Sequence, residues 1–134
     1  MKISRKVFIG LGILLALIIV LGGALFFRTW LMAKHIQSIE IEDVDLSKID
    51  DGVYPGVFAD FLVAIKLNVT VKEHQITNIE IIEQRSGPGY EALETVDRIL
   101  EAQSPKVEAV TGATGSSRTI MIAVQNALRG GQNQ

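Results

Sequence analysis

The run Glu108-Ala109-Val110-Thr111-Gly112-Ala113-Thr114-Gly115-Ser116-Ser117 concentrates the groups in this sequence that can do chemistry. Four hydroxyls lie within seven residues, and Gly112 and Gly115 flank Ala113-Thr114, so the backbone there can bend sharply and approach a ligand closely. Ser116 or Ser117 is expected to cap a helix whose apolar stripe is Ile120, Met121, Val124, Ala127 and Leu128, with Gly130-Gly131 at its end. Free N–H groups and the positive end of a helix dipole suit a phosphate. The same pattern describes a Ser/Thr-rich cap on an ordinary helix, and the residues by themselves leave both readings open.

The preceding elements must hold this run in place. Phe61, Val63, Ile65, Leu67, Val69 and Val71 alternate with polar residues, which predicts a strand. Lys72-Glu73-His74-Gln75 is a polar turn leading to a second strand over 76–83, giving a hairpin with a longer loop. Asp50-Asp51-Gly52 signals a turn before Val53-Tyr54-Pro55-Gly56-Val57, a strand that its proline confines to an edge. Ser86-Gly87-Pro88-Gly89 breaks the chain. A helix is predicted over 90–103, with Leu93, Val96, Ile99 and Leu100 on one face and Arg98 pointing outward, stopped by Ser104-Pro105. The order gives an α+β fold, with helices packed on a small antiparallel sheet.

The 134 residues suffice for one small domain, and the apolar surplus is concentrated near the N-terminus. Residues 7–27 carry no charge and no polar face. As a helix they span roughly 31 Å, close to the hydrocarbon thickness of a bilayer. Lys2, Arg5 and Lys6 precede the run, which favours a cytoplasmic N-terminus and an extracytoplasmic C-terminal domain in a single-pass cell-membrane protein. Phe26, Phe27 and Trp30 suit an outer interface. A cleavable signal peptide is the competing reading, since Gly22 and Ala24 have suitable spacing; the run is longer than a usual signal core and continues past that point. The expected organisation is therefore 1–28 cytoplasmic tip and transmembrane helix, 29–49 juxtamembrane connector with a solvated acidic stretch at Asp43 and Asp45, and 50–130 extracytoplasmic domain.

Several functions are argued against. From Thr29 onward nine Lys/Arg stand against all fifteen Asp/Glu, a balance of −6, which repels a phosphate backbone and disfavours nucleic acid. The absence of cysteine removes disulfides, thiolate metal sites and a cysteine nucleophile. His35 and His74 are isolated in polar stretches and read as solvated, and no triad or metal set supports a hydrolase.

Thr111-Gly112-Ala113-Thr114 resembles the S/T-G-A-T flavinylation motif of the FMN-binding domain family, which includes subunits of sodium-pumping NADH:quinone reductases and of related ferredoxin-oxidising membrane complexes. Asp51-Gly52-Val53-Tyr54-Pro55-Gly56 is similar to that family's D-G-x-Y-x-G opening. The hairpin, Gly87-Pro88-Gly89-Tyr90 and the stretch 101–117 fall where the family places comparable elements, so the resemblance covers roughly 50–129. Where the family usually has aspartate, this chain has Glu108, whose carboxylate reaches one methylene further.

The resemblance implies that Thr114 carries FMN through a phosphoester bond, made from FAD by a separate magnesium-using flavin transferase. It implies an electron carrier, not a stand-alone enzyme, working with redox partner proteins or within a membrane electron-transport complex. A threonine hydroxyl is a weak nucleophile that needs an activating base or metal, and the nearest Lys or His in sequence is Lys106, in keeping with outside help. Around Thr114, the expected FMN contacts are Thr111, Gly112, Ala113, Gly115, Ser116, Ser117 and Glu108. Tyr54 and Tyr90 either stack on the flavin ring or serve as core or surface aromatics. Thr111 and Ser117 are expected to bond the phosphate in preference to the backbone, and Arg118 is either a phosphate counter-charge or an exposed helix arginine. The alternatives are a non-redox accessory or scaffold subunit and a noncovalent FMN-binding protein.

Overall fold

A computed structural model describes residues 4–87 and 91–133. It opens with α1 (Arg5–Ser38), a 34-residue helix long and apolar enough to cross a membrane, whose apolar run is exposed throughout. The helix passes the end of that run and continues for about 16 Å beyond Phe27. The first part of the expected connector is therefore helical.

Three strands follow, β1 (Gly52–Ala59), β2 (Ala64–Lys72) and β3 (Gln75–Arg85), in an antiparallel sheet of order β1-β2-β3. Pro55 lies in edge strand β1, where its missing N–H breaks no ladder. β2 starts later than the alternation predicts, because Asp60 N–H bonds Val63 O at 2.9 Å and closes a turn that takes Phe61 out of the strand. The β2–β3 connection is a two-residue turn, not a longer loop: Glu73 and His74 have φ of 51° and 60°. Left-handed backbone is disfavoured for such residues. Here the turn is braced, since Glu73 N–H donates to Asp51 Oδ1 (2.7 Å) and His74 Nδ1 lies 3.1 Å from Ile49 O. His74 is thus exposed but tied to the chain before β1.

Ile65, Leu67, Val69 and Val71 of β2 are buried on one face with Tyr54, Ile76 and Ile79. Register shifts opposite Lys66/Leu67 and Thr70/Val71 bulge β3, which lets Ile76 and Ile79 both face inward despite their odd spacing and leaves Ile82 exposed. Helix α3 (Thr114–Gln132) covers this face with Ile120, Met121, Val124, Ala127 and Leu128. It runs through Gly130-Gly131, the pair expected to end it. Gly56 allows the close approach of β1: a Cβ there would lie 2.1 Å from the Ala123 carbonyl oxygen. Helix α2 (Glu94–Ala102) packs beside β3 and α3. Gln103, left-handed at its end, bonds both the N–H and C=O of Ile76 through its side chain.

Residues 39–49 do not form the freely solvated connector that their sequence suggests. Ile41, Val44 and Ile49 are buried in the core. The acidic side chains between them stay exposed, and the segment runs along α3 in the same direction, held by an Arg129–Glu42 ion pair and a Gln132–Asp45 carbonyl bond. A hydrogen bond from the Ser47 hydroxyl, with Lys48 nearby, holds the Asp45 carboxyl below the ordinary carboxylate range.

Candidate functional site

The Thr111–Ser117 run forms a tight turn leading into α3. Gly112 has φ of +80°, a conformation for which glycine is suited. Ala113 N–H bonds Val110 O (3.0 Å), and Ser117 N–H bonds Ala113 O (2.9 Å) as the first bond of the helix. The N–H groups of Thr114, Gly115 and Ser116 lie before that bond and have no intrahelical acceptor by helix geometry. The helix therefore opens at Thr114 with Ala113 as its N-cap, three residues before Ser116, the nearer of the two expected caps.

Ser117 is completely buried and acts on the loop itself. Its Oγ accepts from Val110 N–H (2.9 Å) and donates to Ala113 O (2.8 Å), stapling the two ends of the turn. The expectation that Ser117 bonds a phosphate gives way to this structural role, because its hydroxyl is committed on both sides. Thr111 is exposed on the turn, outside the residues that line the cleft described next.

Thr114 is exposed and borders a cleft of about 340 Å³. One wall is Gly112, Ala113, Thr114, Gly115 and Ser116; the opposite wall is Met32, Ala33, Ile36 and Gln37 of α1, with Val63, Gly87 and Arg118 completing it. The size is within the range of ligand pockets, roughly 300–1,000 Å³. A Cβ on Gly115 or Gly112 would meet nothing within 4 Å, so the space over the turn is open. A hydroxyl beside three N–H groups without a partner among the described residues, at the positive end of a 19-residue helix and facing an open and partly apolar cleft, fits a phosphate monoester carrying a flat ring system.

Arg118 is not the exposed helix arginine of the one expectation, and its place beside the cleft leaves the counter-charge expectation standing. Half-buried, it donates to the carbonyls of Ile36 (3.1 Å), Gln37 (3.3 Å) and Ile39 (2.6 Å), covering the C-terminal end of α1. These are carbonyls that a helix end leaves without partners, and a cation there is favourable. Its charge borders the cleft, and it is the only charged residue among the described residues lining it. Arginine does not serve as a base, so the described residues lining the cleft offer Thr114 no charged group to take its proton.

Arg98, expected to face outward, instead donates to the carbonyls of Glu108 (2.9 Å) and Ala109 (3.1 Å) while pairing with Glu94 at 2.7 Å. It thereby fixes the approach to the turn. The Glu108 side chain is exposed and lines a separate depression with Arg98, Glu101 and Lys106, away from the Thr114 cleft. Tyr54 is a core residue: it is buried, donates to Asp50 O at 2.8 Å, and its ring packs against Gly131, at the opposite end of α3 from Thr114. Tyr90, with Pro88 and Gly89, lies outside the described residues.

Sequence reasoning missed the α1 wall and the clamps made by Arg98, Ser117 and Arg118. A polar helix surface continuing past the apolar run was a visible signal only for the length of α1.

No curated protein matches the chain. A crystal structure of the CPE2226 protein from Clostridium perfringens superposes with a TM-score of 0.52 at 20% identity, over 63% of this chain and 90% of that one, a likeness of fold. The model of the FMN-binding domain matches residues 63–129, half of the chain, and includes the whole Thr111–Ser117 turn. On that match the chain belongs to the FMN-binding domain family.

Proposed function

We propose that this protein is a membrane-anchored, extracytoplasmic electron carrier whose FMN is joined to Thr114 by a phosphoester bond. The observation that carries this reading is the exposed Thr114 hydroxyl at an open helix N-terminus, bordering a cleft walled by the emerging part of α1. Bound FMN supplies one- and two-electron redox chemistry. The chain's own part is to hold and orient it: Thr114 as the tether, the Gly115 and Ser116 N–H groups toward the phosphate, and Met32 and Ile36 as apolar wall. The link forms when the Thr114 oxygen attacks the FMN-side phosphorus of FAD, AMP leaves, and the hydroxyl proton passes to a base. With Arg118 the only charged residue among the described residues lining the cleft, a separate magnesium-using flavin transferase supplies that base and metal in this reading.

In this reading α1 spans the membrane with its N-terminus in the cytoplasm, following the basic residues that precede the apolar run. Met32 to Gln37 follow Phe27 by five to ten positions, which sets the cleft roughly 8–15 Å beyond the apolar run. That height suits exchange of electrons with a membrane complex or with a redox partner protein at the membrane surface. The test is coexpression of the full chain with a flavin transferase, followed by denaturing electrophoresis and in-gel flavin fluorescence. A fluorescent wild-type band and a dark Thr114→Ala band are expected. Flavin that dissociates from wild type on denaturation would leave only noncovalent binding, and absence of flavin would leave an accessory subunit.

A further inference from the structure

The β1–β2 turn carries two adjacent apolar side chains that the core does not use. Phe61 is 37% exposed and Leu62 is 50% exposed, at the tip of a turn closed by the Asp60–Val63 bond. The Asp60 carboxylate folds back to accept Phe61 N–H at 2.6 Å, which leaves the two apolar side chains at the apex.

The tip is held against α1 at a defined height. The Arg28 guanidinium lies 4.7 Å from the centroid of the Phe61 ring, and Leu62 N–H approaches Met32 Sδ at 3.3 Å. Arg28 and Met32 follow Phe27 by one and five positions, so these contacts sit roughly 1.5 to 7.5 Å past the apolar run along the helix. The interfacial layer on each side of a bilayer is about 5–7 Å thick. On the same stretch of α1, Trp30 stacks with Phe27 at 5.9 Å and lies beneath Lys34 Nζ at 4.1 Å. Aromatic and basic groups at this level are the side chains that anchor to headgroups.

We propose that Phe61 and Leu62 form a second membrane contact, inserted in the outer interfacial layer of the phospholipid bilayer beside α1. The proposal rests on α1 being the membrane anchor. Its occupant is lipid because the tip packs on Arg28 and Met32, at the level where the apolar run of α1 ends, and the charges of Arg28 and Lys34 at that level suit lipid phosphates, with Asp60 turned to the backbone. Two contacts fix the tilt of α1 and the domain together, and with it the direction in which the Thr114 cleft faces, where a single helix would leave that tilt free.

The absence of cysteine permits a direct test by spin labelling of the full chain reconstituted in phosphatidylcholine/phosphatidylglycerol vesicles. Leu62→Cys reports the tip and Leu17→Cys the middle of α1. Lys72→Cys, roughly 26 Å along β2 from its tip end, is the aqueous reference. The readout is label accessibility to oxygen against an aqueous nickel chelate. The expected order is Leu17→Cys most oxygen-accessible, Leu62→Cys between, and Lys72→Cys most chelate-accessible. A tip label matching the Lys72→Cys label while the Leu17→Cys label reads deep overturns the second contact and leaves the anchor standing. Aqueous values at both Leu17→Cys and Leu62→Cys overturn the anchor and the tip together.

Discussion

The Arg118 guanidinium donates to the Ile39 carbonyl at 2.6 Å, joining the first turns of α3 to the chain as it leaves α1. Thr114 lies one helical turn before Arg118, so the proposed flavin tether and the proposed membrane helix belong to one packed unit. A domain built this way does not swing on a free linker.

Replacing Arg118 with Ala removes its bonds to the α1 carbonyls of Ile36 and Gln37 and to the Ile39 carbonyl just beyond, and is expected to cost about 2 kcal/mol, since a hydrogen bond to a charged group contributes roughly 1.5–3 kcal/mol net and water takes up part of the loss at a half-exposed site. Amide hydrogen exchange checks it, with protection falling over residues 36–41. Arg118→Lys is expected not to restore protection, because one ammonium cannot reproduce the fork.

Ser117→Ala leaves Val110 N–H and Ala113 C=O without their side-chain partner, an expected loss of about 1–2 kcal/mol. Denaturant unfolding measures it. The altered turn is also expected to slow flavin attachment at Thr114, followed by flavin absorbance per folded protein.

Gly115→Ala separates stability from function. A glycine in the middle of a helix replaced by alanine gains about 0.5–1 kcal/mol, Gly115 in the first turn is expected to gain less, and here the new Cβ meets nothing in the protein within 4 Å. It does enter the space bordering Thr114. A higher unfolding midpoint together with reduced flavin loading is the expected pair of results; undiminished loading would show that the cleft over Gly115 is not used.

Gly56→Ala has the reverse signature. The added methyl meets the Ala123 carbonyl at 2.1 Å and Ala127 Cβ at 2.9 Å, so β1 must move off α3 at an expected cost of about 2–3 kcal/mol. Flavin loading of the fraction that remains folded should stay unchanged, because the contact is remote from Thr114.

Much of this fold was legible from local pattern. The uncharged 7–27 run, the alternation through β2, the proline of edge strand β1 and the apolar stripe of α3 each announce one element, and the Thr111–Ser117 run announces the turn before a helix. What was not legible depends on residues distant in sequence. Arg118 and Ile36 are 82 positions apart, and no local period reveals that one covers the other. The apolar residues of 39–49 looked like a linker because acidic neighbours dilute them, yet Ile41, Val44 and Ile49 are buried. Ser117 reads as a phosphate ligand by type, whereas burial turns its hydroxyl inward. Tyr54 reads equally as core or site, and only its packing against Gly131 decides.

The most direct test is the position of the flavin on the chain. Trypsin cuts after Lys106 and Arg118, releasing the peptide 107–118 with all four candidate hydroxyls. Fragmentation of that peptide from transferase-coexpressed protein should locate one FMN on Thr114. An unmodified peptide, or FMN on Thr111, Ser116 or Ser117, would contradict the account.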